Sequence, residues 1–378
     1  MVDKNRMLDE FKKLVSFDSE SFKEFEISKY LFDKLVELGL QVEIDNAGIL
    51  LNPNLKATGN IYGFLKGNIE GDSILLSAHM DTVSPGIGKV AIIDENGKVT
   101  SDGKTVLGAD DVTGIVSILE ALTVVKENKL KHPDIEVVFF IAEEPYCRGS
   151  SVFDFSKIKS KYGYVLDLSG NVGTIALEAP SIYQFKAVIN GKSAHAGFEP
   201  EKGISAIVIA SLAISKLKLG RIDKETTANI GLISGGNGKN IIPDEVILEG
   251  EIRSLVDDKA INEANLIKKV LFEEASKVDA SVTFELKEMI KSYKLSSDSY
   301  IVKKYQYALD SLGLGKASHI TTFGGSDANS INKYGIECAV ISNAMNNIHT
   351  TNEYFKVDEF IKSAEICLSL IRGEWCDI

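Results

Sequence analysis

Proline, cysteine and tryptophan are scarce in this chain, with 7, 4 and 1 copies in 378 residues, and its basic side chains are outnumbered. Few prolines and no low-complexity stretch exclude a disordered protein. The cysteines, Cys147, Cys338, Cys367 and Cys376, form no CxxC pair and no framework spacing. That excludes a disulfide scaffold and points to a reducing cytoplasm. Acidic residues number 54 against 42 basic ones, a formal net charge of −12. This is the wrong sign for a protein that displaces counterions from nucleic acid. No stretch approaches the roughly 18 apolar residues that a membrane span needs. The opening MVDKNRMLDEFKKLVSFDSES holds no apolar run able to serve as a signal peptide. What the chain does have is a normal globular balance, 44% hydrophobic and 25% charged. At roughly 100–200 residues per domain, two or three domains are expected.

Short apolar runs alternate with amphipathic stretches through the first half. Residues 73–78, 135–141 and 162–166 read as buried strands, and the opening segment from Met7 to Leu38 reads as helix. Val112, Ile115, Val116, Leu119 and Leu122 fall at helical spacing in 112–126. Strands alternating with helices predict an α/β domain with a mostly parallel central sheet. Near residue 180 the rhythm changes to strand 181–190, helix 204–218, strands 227–234 and 244–254, helix 258–278 and strand 281–288. That βαββαβ order predicts a ferredoxin-like two-layer domain. After Lys291 the α/β rhythm resumes, with a helix near 298–312, a strand at 337–342 and a helix at 358–372. The expected architecture is therefore a discontinuous α/β domain, 1–179 and 292–378, interrupted by a smaller domain at 180–291.

Acidic and imidazole groups recur where these elements end. His79 and Asp81 follow strand 73–78, Glu143 and Glu144 follow strand 135–141, and Asp167 follows strand 162–166. His349 lies in a loop after strand 337–342, and Asp110 and Asp111 open the helix at 112. In open α/β sheets the carboxyl ends of the strands border the ligand crevice. Imidazole and carboxylate donors suit zinc, manganese or cobalt. Within His79-Met80-Asp81, alternation places the first and third side chains on one side, so Asp81 can accept from the imidazole nitrogen left free by a metal. A carboxylate such as Asp110 can bridge two cations, and a helix N-terminus tolerates clustered negative charge. The paired Glu143 and Glu144 point different ways, leaving one to bind metal and the other to handle a proton.

Other histidines and motifs carry less. His132 sits in a polar connection beside Pro133, and His319 precedes GGSDAN without a ligand-bearing motif. The segment SDGKT (101–105) lacks the glycine a phosphate-binding loop needs at position 98, which is Lys98. No G-x-S-x-G elbow appears at a strand-to-helix turn.

The ordered set LLSAHMDTVSPG (75–86), TVLGADDVTG (105–114), FIAEEP (140–145), YVLDLSG (164–170), GKSAHAG (191–197), GGSDAN (324–329) and NIHTTNEYF (347–355) resembles the M20 metallopeptidase family, in its peptidase T-like branch. The resemblance spans nearly the whole chain and makes the inserted domain that family's lid and dimerisation domain. It implies two divalent ions, zinc first with manganese or cobalt as alternatives. Asp110 would bridge them, His79 and Asp167 would complete one site, and Glu144 and His349 the other. Glu143 would be the general base and Asp81 the residue that orients His79. His195 of the inserted domain would donate to the oxyanion, with domain closure or a neighbouring subunit bringing it in. From the residues themselves, Arg253 at a strand end can clamp a substrate carboxylate or form a surface salt bridge, and Asn240 can contact a small peptide substrate or shape the turn before Pro243. The chain departs from the branch at Val112-Thr113, where relatives usually carry lysine and alanine. The implied activity is aminopeptidase action on tripeptides in the cytoplasm, by a homodimer that binds neither nucleic acid nor membrane. A related carboxypeptidase or deacylase, or a catalytically silent metal-binding protein, are the competing readings.

Overall fold

In the strand Ile135–Phe140 every residue is buried, although successive side chains point to opposite faces. Both faces of the sheet must therefore be covered, as in α/β proteins. A computed structural model describes residues 1–53 and 58–372, which leaves Cys376 and the rest of 373–378 outside the description. Ile135, Val137 and Phe139 join a core with residues of helices Lys4–Val15, Ala109–Asn128 and Val357–Ile371. Phe140, on the opposite face, meets the rings of Phe153 and Phe155.

The central sheet runs in the order Gln41–Ile44, Ile61–Leu65, Ile135–Phe140, Ile74–His79, Tyr162–Leu168, Glu337–Ser342, Thr174–Ala179. From Ile135–Phe140 to Glu337–Ser342 the neighbours pair in parallel, and the antiparallel pairs lie towards the edges. The expected α/β class with a mostly parallel sheet is what the chain adopts. Helix Ala109–Asn128 lies at the centre of the core, buried on every side from Ala109 to Leu122. Its buried polar side chains find partners within the chain, as where Thr113 and Ser117 donate to carbonyls four residues earlier.

Two compact units make up the chain. The first holds Met1–Glu178, Lys294–Thr322 and the chain from Ser326; the second holds Ala179–Tyr293 and Phe323–Gly325. The reading of the insertion as 180–291 did not include that brief return at 323–325. In the second unit the strands lie in the order Thr226–Gly235, Glu245–Ser254, Ser181–Asn190, Ser281–Ile290, all antiparallel. Tyr183, Phe185, Ala187 and Ile189 alternate inwards to meet Ile209 and Ala213 of helix Ala206–Ile214 and Ile267 and Leu271 of helix Asp257–Ala275. This is the ferredoxin-like arrangement that the βαββαβ order predicts.

One expected element divides. Instead of a continuous helix from Met7 to Leu38, two helices, Lys4–Val15 and Phe25–Leu38, flank a loop at 16–24. Apolar positions repeat on both sides of it, but the Ser16 hydroxyl donates back to the Lys13 carbonyl at 2.7 Å where the first helix ends, and Asp18 and Ser21 turn to Gly88 and Asp81 instead. Asp167 falls within the strand Tyr162–Leu168 rather than after it.

Gly114 is where the central helix presses on the sheet. A Cβ there would lie 2.5 Å from the Leu166 carbonyl oxygen and 2.4 Å from Asp111 Oδ1. Alanine in a helix gains up to about 1 kcal/mol over glycine, but overpacking costs typically about 1–3 kcal/mol. The clash outweighs the propensity, so Gly114→Ala lowers the urea midpoint of unfolding. A midpoint at or above wild type would show that the helix can back away from Leu166.

Candidate metal centre

His79 ends the strand Ile74–His79, and parallel pairing puts it beside Phe140 at the carboxyl end of the next strand. Its Nδ1 lies 2.9 Å from the Asp81 carbonyl oxygen and 3.4 Å from Asp81 Oδ1. That leaves Nε2 facing Asp110 Oδ1 at 3.0 Å and Asp167 Oδ1 at 3.8 Å. The other oxygen of Asp110 lies 3.2 Å from His349 Nε2, which is itself 2.8 Å from Glu144 Oε2. Asp110 thus turns one oxygen to each imidazole. The structure brings His79, Asp110, Glu144, Asp167 and His349 into one cluster, with His349 half-exposed and the others largely buried.

Asp81 accepts from the amides of Glu143 at 2.8 Å and Glu144 at 3.2 Å, and from Ser21 Oγ at 2.7 Å. It therefore sets the turn bearing both glutamates as well as the ring of His79. In that turn Ala142, Tyr146 and Cys147 have positive φ (47°, 72° and 52°), a conformation that costs on the order of 1–3 kcal/mol per non-glycine residue. Glu24 holds it by accepting the Ala142 amide at 2.9 Å. Glu143 turns away from Glu144, and its Oε1 accepts only a thiol, Cys147 Sγ at 3.1 Å.

Several of these groups escaped the sequence reading. Ser21 and Glu24 lie in the loop that had been read as helix. Asp111 is fully buried, with one oxygen on the His79 amide and the other on the Asn343 side chain. It lies near enough to serve as a ligand with His79 and Asp167, but those bonds already occupy its oxygens, whereas Asp110 meets only imidazoles. Asp327 is buried with neither carboxylate oxygen partnered. Glu353 accepts three backbone amides. Asp111, Asp327 and Glu353 stand inside the motifs quoted above, but nothing in those motifs distinguishes a carboxylate that holds backbone from one that binds a ligand.

Charge explains why such a cluster must hold something. Burial and the neighbouring Asp110 raise Glu144 to about 7, and burial pushes Glu143 and Asp167 well above the usual carboxylate range. Hydrogen bonds to Asp110 and Glu144 lift His349 to about 11. Burial opposes ionisation of Asp110 too, but the two imidazoles hold it below its ordinary value. Among the described residues no lysine or arginine forms an ion pair with these carboxylates. Glu144 Oε1 is buried without a partner. Ligand atoms of His79, Asp110 and Glu144 all lie within 4.8 Å of one another. Unpaired carboxylate oxygen beside imidazole nitrogen is the donor set of a divalent-metal site, and the residues fit that group.

The three expected substrate contacts lie in the inserted unit. His195 is exposed, stacks on Phe198 at 4.3 Å, and accepts the amides of Gly197 and Phe198 on Nδ1, leaving Nε2 free to donate. The carbonyl of Asn240 accepts the Ala196 amide at 2.9 Å, so its loop is joined to that of His195. Arg253 already holds Glu251 in a fork, at 2.7 and 3.2 Å, and the Phe323 carbonyl at 3.0 Å. The carboxylate clamp expected of it is filled from within the chain.

Comparison with known proteins places this geometry. The peptidase dimerisation domain of the M20 peptidases matches residues 178–279, and the profile of peptidase family M28 matches residues 60–177. The "Uncharacterized protein YqjE" of Bacillus subtilis is 41% identical over 373 residues, covering 98% of this chain and 99% of that one. Among solved structures, the aminopeptidase PepT of Bacillus cereus is 39% identical with a TM-score of 0.89, and 98% of each chain is covered. A tripeptidase of Staphylococcus aureus is 36% identical with a TM-score of 0.93, again over 98% of each chain. With that likeness along its whole length and a dinuclear donor set at its strand ends, the chain belongs to the peptidase T-like branch of the M20 metallopeptidases.

Proposed function

We propose that this peptidase removes the N-terminal residue from tripeptides with the help of two divalent ions, zinc first with manganese and cobalt as the alternatives. Asp110 would be shared between them, His79 and Asp167 would hold one, and Glu144 and His349 would hold the other. Such cations, when bound, supply Lewis acidity for the scissile carbonyl and a water of lowered pKa. The observation that carries the reading is the divergence of two adjacent glutamates: Glu144 pairs with His349, while Glu143 accepts the Cys147 thiol and forms no ion pair among the described residues. A carboxylate of raised proton affinity in that position takes the proton of the attacking water. As the C–N bond breaks, it returns that proton to the leaving amine. Asp81 keeps the His79 ring in one tautomer, with Nδ1–H donated to its carbonyl. His195 donates from Nε2 to the oxyanion, and Asn240 contacts the substrate. The aminopeptidase and tripeptidase to which the chain is similar support tripeptides over the acylated substrates of a deacylase.

The working form is a homodimer joined through the inserted unit. Ile207, Val208 and Leu212 on its first helix, and Leu232 and Ile233 on the strand Thr226–Gly235, are exposed large apolar side chains. Beyond Ala228 that strand pairs on one side alone among the described residues, which leaves an edge for a second copy. The enzyme works in the cytoplasm, in keeping with Cys147, Cys338 and Cys367 as buried free thiols.

Glu143→Ala is expected to abolish release of free N-terminal residues from a tripeptide panel while the protein still carries two ions by elemental analysis. Retained turnover would remove Glu143 as the base, and cleavage of N-acylated substrates alone would overturn the tripeptidase reading. Ile233→Glu should convert a dimer into a monomer in sedimentation; an unchanged dimer would move the interface elsewhere. A third expectation concerns pH. His349 keeps a proton up to about pH 11 without metal, so binding must displace it. Affinity therefore rises from pH 6 to 8, by about tenfold per unit for each proton released. Calorimetry in buffers of different ionisation enthalpy measures that release, and an affinity flat with pH would exclude His349 as a ligand.

A further inference from the structure

We propose that Glu353 is the positioning residue that locks the Asp110 turn to the His349 loop, so that both ligands are in place before a metal arrives. The proposal rests on the metal-centre reading above. Glu353 is 1% exposed, and its carboxylate is spent on backbone amides of the turn that ends at Asp110. Oε2 accepts from Leu107 at 2.7 Å and Gly108 at 2.8 Å, and Oε1 accepts from Asp110 itself at 2.8 Å. Among the described residues no side-chain cation hydrogen-bonds this carboxylate; oriented N–H dipoles meet it directly, and the buried Lys89 ammonium lies near enough to feel its charge.

The same residue closes the loop that presents His349. Asn346 and Tyr354 exchange backbone hydrogen bonds at 2.8 and 3.0 Å, pinning the loop's base. Inside it, the Glu353 amide donates to the Thr350 carbonyl at 3.1 Å. Next to Glu353, the strand Tyr354–Lys356 pairs with Lys98–Thr100. His349 and Asn347 have φ of 61° and 52°, a left-handed conformation that the closed loop must hold against its cost. Asp110 and His349 are distant in sequence, yet Glu353 lies four residues from one and hydrogen-bonds the amide of the other. Without it, the carboxylate between the imidazoles and the exposed imidazole would each wander independently, and a cation bound there would have to order both.

Glu353→Gln tests this, because an amide cannot accept at both ends. Whichever way it turns, an NH2 group faces either the Asp110 amide or the pair at Leu107 and Gly108. The full-length variant, stripped of metal and titrated with Co2+, is followed by visible absorption, with circular dichroism and thermal unfolding alongside. The expected result is weaker binding of both Co2+ ions, since Asp110 would serve both, with the larger loss, about tenfold or more, at the ion His349 would share, and with the unfolding midpoint little changed. Two ions at wild-type affinity would overturn the proposal. So would an equal loss at both sites with a lowered midpoint, which is what a merely structural role gives. If the variant does not fold, hydrogen exchange of metal-free wild type decides. Protected amides at Leu107, Gly108 and Asp110 support the lock, and exchange as fast as an open loop overturns it. Wild type that binds no Co2+ would remove the metal reading alone, since the exchange measurement still judges Glu353.

Discussion

Asp110 sits between two imidazoles with one oxygen toward each, while Glu144, Asp167, Asp111, Asp81 and Glu143 crowd the same strand ends. Burying an anion costs several kcal/mol even after the protein relaxes. Three remedies exist: a lysine or arginine, a proton, or a bound cation. The described residues supply no lysine or arginine partner here, and the two imidazoles do not match the carboxylates. Protons fill the gap in the metal-free chain, which is why Glu144 and His349 both hold them more tightly than usual. A divalent ion answers the same demand with more charge in less space, and each proton it displaces links its affinity to pH.

Around this deficit the chain meets four other buried carboxylates, though not Asp327, with backbone amides. Asp81 takes the amides of Glu143 and Glu144, Glu24 that of Ala142, Asp111 that of His79, and Glu353 those of Leu107, Gly108 and Asp110. The choice has a physical logic. A lysine beside Asp110 would compete with the metal for its oxygens, and its charge would lower the affinity of the whole site for cations. An N–H dipole stabilises a carboxylate without carrying net charge, cannot titrate, and is fixed in direction by the fold. The carboxylates that position the site are thus met largely by main chain, helped by the Ser21 hydroxyl at Asp81 and the Asn343 amide at Asp111, which leaves the uncompensated ones for the ligand.

This division also explains which residues could be read in advance. His79, Glu143 and Glu144 stand where an apolar run stops, and alternation and strand length announce such places. The parallel sheet and the βαββαβ insertion were legible for the same reason: apolar periodicity reports which face is buried. Glu24, Asp111 and Glu353 act on backbone amides far away in sequence, and an amide has no residue-specific signature. The loop at 16–24 was hidden differently. Leu14 and Val15 before it and Ile27 and Leu31 after it keep a helical apolar rhythm, so only the serines and Asp18 marked a break. That break turns out to deliver Ser21 to Asp81. Asp167 differs by register alone, since its strand continues one residue beyond it.

The position of the inserted unit poses a last question, because it falls between Asp167 and His349 and so separates ligands of one site. A long flexible loop closes at an entropic cost that grows only by about 0.6 kcal/mol per doubling of length. Here even that cost is reduced, because the insertion closes upon itself. Ile182 pairs with Ile290 across neighbouring strands, and the Ser292 amide donates to Ser181 Oγ at 2.8 Å. The chain therefore enters and first leaves the inserted unit at neighbouring points, before its brief return at 323–325. From there, helix Tyr300–Ser311 and strand Glu337–Ser342 join the first unit's core before the His349 loop begins. The metal-bearing unit can fold around its sheet as though the insertion were a short turn, and the ligand that follows it is brought back by packing, without help from the metal.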